Sequence, residues 1–232
     1  MLKKAVLLTL LAIQAFGCAA LAHAADLSPK QQSITAISAL TAQGDLDRLR
    51  PAIARGLDNG MTVNEIKEVL VHLYAYTGFP RSLNGLNTLL AVVKDRSAAG
   101  IQDTIGRDAS PAAADRDRHA IGTSIQTELV GRPVTGEIYE FAPIIDTFLK
   151  EHLFCDIFER DVLTYQEREL ATVSALAGLK NVNPQLRSHL NASLYNGIDQ
   201  EQLTEWADVL EQTTDSSTAD NARDVLAMVL KK

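Results

Sequence analysis

The chain has 232 residues, of which 46% are hydrophobic and 22% are charged, and this is enough apolar sequence to bury one substantial core. The 29 acidic and 22 basic side chains give a formal net charge of −7 at pH 7, and an acidic protein is a poor partner for nucleic acid. The chain has two cysteines, Cys18 and Cys155.

Residues 1–24 have the pattern of an export signal. Two lysines precede the short apolar run 5–16, and small residues end in the cleavage pattern Ala22-His23-Ala24. Because the run is too short for a membrane span, we expect a periplasmic or secreted protein with no membrane contact after cleavage. A lipoprotein anchored at Cys18 is the alternative, although the leucine that usually stands three positions before such a cysteine is absent.

Cleavage after Ala24 changes both the charge and the thiol content. It removes two lysines and no acidic residue, so the formal charge moves from −7 to −9. It also leaves Cys155 as the single cysteine, and one thiol cannot form an intrachain disulfide. The mature protein is therefore predicted to be acidic and without intrachain disulfides.

Helical periodicity continues through most of the remaining sequence and few segments resemble strands, so an all-α fold is predicted. Segment 27–40 starts with a Ser-Pro cap, and Thr62 forms a capping box with Glu65. Residues 74–81 contain a glycine and a proline and predict a break between two helices. Residues 97–118 are rich in Ala, Asp and Gly, which predicts a loose connection or a poorly packed helix.

An internal repeat explains the order of these elements. SITAISAL at 33–40 matches ELATVSAL at 169–176 with an offset of 136 residues, and LRPAIARGLDNGMT at 49–62 matches LRSHLNASLYNGID at 186–199 with an offset of 137. The predicted organisation is a first repeat at 25–96, a connecting segment at 97–150 and a second repeat at 151–232.

The helix that begins after Thr164 contains a candidate proton-transfer residue. Thr164 forms a capping box with Glu167, and the apolar stripe that follows includes the position of Glu169. A carboxylate on the apolar side of a helix is either a buried general acid or base, or a partly exposed group bonded to a neighbouring helix. Periodicity leaves both interpretations of Glu169 open.

The next helix is predicted between Pro184 and Gly197, with leucines along its buried face. His189 lies at the border of that face, where a side chain can enter a cleft. A lone histidine there is usually a hydrogen-bonded boundary residue. If the two helices pack as an antiparallel pair with a short loop, Glu169 becomes its partner acid.

The two repeats differ at these positions. Glu169 corresponds to Ser33, and His189 corresponds to Ala52, so only the second repeat carries both proton-transfer groups. The turn that contains Tyr76 occurs in the first repeat alone. We therefore expect one repeat to supply catalytic groups and the other to supply a wall of the pocket.

Three blocks of sequence resemble a known family. RELATVSALAGL followed by QLRSHLNASLYNGI, together with YAYTGFPRSLN, is similar to the carboxymuconolactone decarboxylase family, within the superfamily of the alkylhydroperoxidase D (AhpD) proteins. The resemblance covers most of residues 27–230 and implies an all-α, AhpD-like fold assembled into trimers or hexamers. It also implies decarboxylation of a carboxylated unsaturated lactone by proton transfer without a cofactor. The peroxidase branch of the superfamily has a proton-relay glutamate and a histidine, and by position the resemblance places these on Glu169 and His189.

The peroxidase branch of this superfamily uses a C-x-x-C-x-x-x-H motif. Seven and four residues before His189, this chain has Val182 and Gln185, so the two thiols of that motif are absent. Cys155 lies outside the motif in an apolar run, where a buried structural cysteine is expected. AhpD-like peroxiredoxin or antioxidant activity is therefore the disfavoured alternative.

The main hypothesis is a lyase or isomerase that needs no cofactor and acts on a small organic acid or lactone, with Glu169 and His189 as the catalytic residues. The candidate substrate-binding residues are Tyr76, Arg81 and Arg187. The two arginines are chosen because an anionic substrate needs positive charge in an acidic protein. The simpler interpretation is that both arginines are solvated and bind no substrate. The alternative is an exported oligomer that binds a ligand without catalysis.

No other constellation in the sequence carries recognisable chemistry. Motifs of zinc proteases, phosphate-binding loops and serine hydrolases are absent, so no metal and no organic cofactor is predicted. Glu68 and His72 share a helix face with Glu65, and we interpret that face as solvated. The expected partners are a small-molecule substrate and further copies of the chain.

Overall fold

The computed structural model describes residues 26–231, and every regular element in that range is helical, which confirms the all-α prediction. The elements are α1 (Pro29–Gln43), α2 (Leu46–Asp58), α3 (Val63–Ala98), α4 (Arg118–Val130), α5 (Glu137–Phe141), α6 (Pro143–Thr147), a π-helix (Phe148–Phe158), α7 (Tyr165–Gly178), α8 (Asn183–Tyr195), α9 (Gln200–Thr213) and α10 (Ser216–Leu230). Within this range, no helix combines the length and the apolar character that crossing a bilayer requires. The predicted export signal at 1–24 lies outside the described residues.

Reciprocal capping bonds define the starts of four helices. The capping pairs are Ser28 with Gln31 at α1, Thr62 with Glu65 at α3, Thr164 with Glu167 at α7 and Asp199 with Gln202 at α9. In each pair the first side chain accepts a hydrogen bond from the backbone N–H of the second residue, and the second side chain accepts one from the backbone N–H of the first. The capping boxes predicted at Thr62 and Thr164 are confirmed.

Helices α1 and α7 form the centre of the fold and run parallel. At their starts, Lys30 Nζ of α1 lies 2.7 Å from both Glu167 of α7 and Glu65 of α3. Towards their ends, a Cβ atom on Gly178 would lie 2.9 Å from the Ala39 carbonyl oxygen, so glycine permits this close approach. The main hydrophobic core surrounds this pair and includes residues from α2, α3, α8, α9 and α10.

Helix α3 breaks at Gly78, as the sequence predicts. The backbone there has φ 75° and ψ 163°, a conformation that glycine adopts without the steric penalty of a Cβ atom. Pro80 follows, and its nitrogen has no hydrogen to donate to the helix. Beyond the break the chain turns back on itself, and Ser82 Oγ donates a hydrogen bond of 2.8 Å to the Leu70 carbonyl, which precedes the break.

A smaller hydrophobic cluster lies between α4 and the π-helix. Its members are Ile125, Leu129, Leu153, Phe154, Ile157 and Phe158. Tyr76 packs against both this cluster and the main core, so it stands at the boundary between them. Residues 101–117, between α3 and α4, contain no helix, in agreement with the loose connection predicted at 97–118.

The starts of the helices follow the spacing of the predicted repeat. α1 and α7 start 136 residues apart, whereas α2 and α8, like α3 and α9, start 137 residues apart. The extra residue of the second unit therefore falls between its first two helices. Duplication of the unit stays a prediction, and these bounds agree with it.

Candidate functional site

Glu169 and His189 form a hydrogen-bonded pair that joins α7 to α8. Residues 179–182 connect the two helices, and this short loop brings the two side chains together. Glu169 Oε2 lies 2.8 Å from His189 Nδ1. The Glu169 side chain is 2% exposed, whereas the His189 side chain is 21% exposed. The pair thus combines a buried carboxylate with an imidazole that reaches the surface.

The hydrogen bond determines which nitrogen of His189 is left for other partners. An ionised carboxylate only accepts hydrogen bonds, so Nδ1 carries the hydrogen in the contact with Glu169. Nε2 then has a lone pair when the ring is neutral and an N–H when the ring is protonated. His189 can therefore accept or donate a proton at Nε2 while Glu169 orients the ring.

Tyr76 of α3 closes one side of this pair. Its ring meets the His189 ring edge-on, with the centroids 5.6 Å apart and the planes at 83°. Its hydroxyl oxygen is buried and makes no hydrogen bond to the described residues. Burial and the negative charge of Glu169 outweigh the polar neighbour Thr172 and raise the pKa of Tyr76 far above its ordinary value. The phenol therefore stays protonated and has an unused donor.

A second histidine, His72, lies one helical turn before Tyr76 on α3. It is fully buried, and its ring centroid is 5.3 Å from that of Tyr76. Thr172 Oγ1 donates to the Arg168 carbonyl at 2.9 Å and accepts from His72 Nε2 at 2.8 Å, which selects the Nε2–H tautomer. Burial, and the positive charge of Arg168, hold the pKa of His72 well below its usual range. His72 is therefore neutral at pH 7.

A buried ion-pair cluster follows on from His72. The Arg168 side chain is 0% exposed, and its Nη2 donates to Glu68 Oε1 at 2.8 Å and to the Arg160 carbonyl at 2.5 Å. Arg160 bonds both oxygens of Glu68 at 2.9 to 3.1 Å. Burial opposes ionisation of Glu68, but the bonds from Arg160 and Arg168 outweigh it and lower its pKa. Burial lowers the pKa of Arg168, and the carboxylate of Glu68 counteracts that effect.

The interpretation of Glu68 and His72 as part of a solvated face is therefore wrong. Glu68 is 3% exposed and His72 is 0% exposed. Together with Tyr76 they form a polar line at intervals of four residues along α3, and that line is the sequence signal for the cluster. Their partners Arg168 and Thr172 each lie 100 residues further along the chain, which a local pattern does not show.

Of the three predicted substrate-binding residues, only Tyr76 contacts the Glu169–His189 pair. Arg187 is exposed on α8, two residues before His189 and so about 200° away around the helix. The Arg81 guanidinium lies against Gly44, at the end of α1. Glu169 belongs to the start of α7, which packs against the start of α1, so Arg81 is at the opposite end of the helix pair.

The thiol chemistry of the peroxidase branch has no counterpart in this site. Cys155, the cysteine among the described residues, is 0% exposed, and burial raises the pKa of its thiol. Val182 precedes the first turn of α8, and Gln185 is exposed within that turn. Residues 26–231 also contain no group of three or more His, Cys, Asp or Glu side chains that could hold a metal ion.

The cavities of the described part of the chain include three with volumes of about 740, 540 and 230 Å³. The largest of the three is lined by the starts of α1 and α7, by α4 and by the end of the π-helix. Arg160 and Phe158 form part of its wall, so it adjoins the ion-pair cluster. Neither Glu169 nor His189 lines any of the three.

Comparison with known proteins connects these observations to a family. The sequence profile of the carboxymuconolactone decarboxylase family matches residues 8–91. Over those residues the chain is similar to this family. A curated relative, the 4-carboxymuconolactone decarboxylase of Acinetobacter baylyi, is 34% identical over 68 residues, which are 29% of this chain and 51% of the relative. The chain thus spans about half the length of the curated relative that it matches.

The range matched by the family profile covers only part of the candidate site. It includes Tyr76 and Arg81 and ends before Glu169 and His189. The roles of these last two residues therefore depend on the geometry of the pair and on the resemblance of their own sequence blocks.

Proposed function

We propose that this protein is a carboxymuconolactone decarboxylase-like lyase or isomerase that moves a proton on a small organic acid or lactone without a cofactor. The observation that carries the proposal is the 2.8 Å bond between Glu169 and His189, in which the carboxylate is buried and the imidazole reaches the surface. The similarity to the family and the activity for which the Acinetobacter relative is named support the class of substrate.

The proposed reaction on a carboxylated unsaturated lactone has two stages. The bond between the ring carbon and the carboxylate breaks, carbon dioxide leaves, and the electron pair passes into the conjugated carbonyl. The pair returns when the carbon takes a proton, which we assign to His189 Nε2, and solvent then restores that proton. Glu169 keeps its bond to Nδ1 throughout. Tyr76 would donate its O–H to the carbonyl oxygen as negative charge develops there.

An isomerisation would use the same groups in a different order. His189 Nε2 would first remove a proton from one carbon of the substrate and then return it to another. The His189 ring would alternate between its neutral and protonated forms at Nε2. The bond from Nδ1 to Glu169 is kept in both forms.

Arg187 remains our proposal for the cation that attracts an anionic substrate. It is exposed two residues before His189, in a chain whose formal charge is −7. An exposed guanidinium raises the local concentration of an organic acid over distances of about 10 Å at ordinary ionic strength. Arg81 is not part of this proposal, because it lies at the far end of α1.

We further propose that the protein works as an exported homo-oligomer. The pattern of residues 1–24 supports export, and the family resemblance implies a trimer or a hexamer. Large apolar side chains are exposed along the short helices before and into the π-helix: Ile138, Phe141, Ile144, Ile145 and Phe148. Phe141 is 86% exposed, and such a patch is typical of a surface that another protein chain covers.

Ligand binding without catalysis is the second candidate function. It is favoured by the cavities of about 740, 540 and 230 Å³, none of which is lined by Glu169 or His189. In that case the bond between the two residues would serve to join α7 to α8. Thiol peroxidase activity is disfavoured, because Cys155 is buried and burial raises the pKa of its thiol.

The test is a turnover assay on small unsaturated lactones and keto acids, including a carboxylated muconolactone. Wild type is compared with Glu169→Gln and His189→Ala, and His119→Ala is the control because His119 is exposed on α4. We expect each of the first two variants to reduce turnover by about 10²–10⁴-fold, the usual contribution of a general acid or base, and the control to leave it unchanged.

Circular dichroism and thermal melting establish whether the variants fold. If the two site variants fold and lose turnover, the lyase or isomerase proposal stands, and the pH dependence of the rate will assign the acid and the base. If no compound in the panel is converted, or if the variants lower thermal stability and leave turnover intact, the pair is structural and the ligand-binding function is favoured.

A further inference from the structure

The cavity of about 230 Å³ lies between α1, α2 and α9. Twelve residues line it: Gln32, Ser33, Ala36, Leu40, Arg48, Pro51, Ala52, Arg55, Asn59, Val209, Gln212 and Thr213. Its volume corresponds to about eight water molecules, at roughly 30 Å³ each. A cavity of this size is suited to a ligand somewhat smaller than the occupants of ordinary small-molecule pockets.

The position of this cavity follows from the predicted repeat. At the repeat offsets of 136 and 137 residues, Ser33 corresponds to Glu169 and Ala52 to His189. Thr213 corresponds to Tyr76 by the same rule. At the other site these positions carry the large side chains of Glu169, His189 and Tyr76, and His189 contacts the other two. At the cavity they carry a hydroxyl group, a methyl group and a second hydroxyl group. The shorter side chains account for the open space.

The charged groups in the wall are both arginines. Arg48 is held in place, because its Nε bonds Asp45 at 2.7 Å and its Nη1 donates to the carbonyls of Thr213 and Thr214 at 3.1 and 2.7 Å. The Arg55 side chain makes no hydrogen bond and no ion pair with any residue in 26–231. The cavity therefore has one fixed and one uncommitted positive group in a protein whose formal charge is −7.

Neutral polar groups lie beside the two arginines. Ser33 Oγ, on a residue that is 4% exposed, donates to the Pro29 carbonyl at 2.8 Å and accepts from Asn59 Nδ2 at 3.0 Å. Gln32 Nε2 donates to Glu205 Oε1 at 2.9 Å, and the Leu27 N–H bonds the other oxygen of that carboxylate at 2.6 Å. Glu205 is thus bonded to groups outside the cavity wall as well as to Gln32, and it does not line the cavity.

We propose that this cavity is a binding site for a small hydroxylated carboxylate, separate from the Glu169–His189 pair. The carboxylate would bond Arg55 and Arg48, since guanidinium groups match carboxylate oxygens in shape and charge. The hydroxyl group of the ligand would bond Gln212 or Thr213 in the same wall. The positions that correspond to Glu169 and His189 carry no group that moves a proton at neutral pH, so the site binds and does not transform its ligand.

Malate is a suitable probe, because it carries two carboxylates and one hydroxyl group. Calorimetric titration compares the wild type with Arg55→Gln and with Ala52→Leu, which fills the cavity from a residue that is 6% exposed. Arg50→Gln is the matched control, since Arg50 is an exposed arginine on the same helix that pairs with Asp95 outside the cavity. His189→Ala tests whether malate binds instead at the other site.

We expect malate to bind the wild type with a dissociation constant of about 1 mM or lower. Arg55→Gln should weaken binding by about fivefold or more, the effect of one partly exposed charged hydrogen bond, while Arg50→Gln and His189→Ala should leave it unchanged. The exposed Arg55 variant keeps the test valid even if Ala52→Leu fails to fold. The proposal is overturned if malate does not bind at about 10 mM, if Arg55→Gln binds like wild type, or if His189→Ala abolishes binding.

Discussion

The buried ion pair between Glu68 and Arg168 should respond unequally to removal of its two partners. Arg160 already bonds both oxygens of Glu68, so the carboxylate stays paired when Arg168 is replaced. When Glu68 is replaced, Arg168 remains at 0% exposure with no opposite charge. Its remaining bonds are then to the Arg160 carbonyl at 2.5 Å and to His72 Nδ1 at 3.4 Å.

The difference in free energy follows from these contacts. Glu68→Gln should lower the free energy of unfolding by about 3–5 kcal/mol, the range observed when one charge of a buried pair is left alone. Arg168→Met keeps a long side chain and leaves no unpaired charge, so its loss should be roughly 1–3 kcal/mol, from broken hydrogen bonds. Because a typical domain is stable by only about 5–15 kcal/mol, the first change should remove a large part of the total.

Urea unfolding at pH 7, followed by circular dichroism, measures both variants and the double variant. Arg223→Gln is the control, because its partners Asp208 and Glu211 are 54% and 51% exposed, and its loss should stay below about 1 kcal/mol. Glu68→Gln should cost less in the Arg168→Met background than in the wild type. A Glu68→Gln loss no greater than that of Arg168→Met would refute the argument, since it would mean that Arg168 is not left uncompensated.

Three single side chains lead to further expectations. The pKa of His72 in the folded state lies below its unfolded value of about 6.5. The stability that the neutral ring provides is therefore complete above about pH 6.5 and is lost as the pH falls towards the folded-state pKa. In urea unfolding at several pH values, His72→Gln should reduce this loss. Tyr76→Phe should reduce turnover by about 10²-fold with an unchanged melting temperature, if the hydroxyl stabilises negative charge on the substrate. Cys155 should react with Ellman's reagent in urea and not in the native protein, because it is 0% exposed.

The helices were predictable because their signals are local. The capping boxes at Thr62 and Thr164 each depend on two residues three positions apart, and the break at Gly78 depends on one glycine and a nearby proline. Such signals are present in a single stretch of sequence and do not require knowledge of the partner helix. The π-helix was not predicted, because Phe148–Phe158 reads as an ordinary amphipathic segment.

The candidate site was predictable only in part, for a related reason. The contact between Glu169 and His189 follows from a short loop between adjacent helices, so its partners are close in sequence as well as in space. The contacts of Glu68 and His72 cross from the first half of the chain to the second, each over 100 residues. From the local pattern alone, a buried charged face with a distant partner looks the same as a solvated face, and this explains the wrong interpretation.

The two halves use different residues for one equivalent contact between their helices. At the repeat offsets, Gln32 corresponds to Arg168 and Glu205 corresponds to Glu68, and the two pairs make the same contact, at 2.9 Å and 2.8 Å. Each contact joins a central helix, α1 or α7, to a helix of the other half. In the first half a neutral glutamine makes this contact without burying a positive charge. The arginine brings such a charge beside His72 and helps to keep that ring neutral, next to the tyrosine that contacts His189.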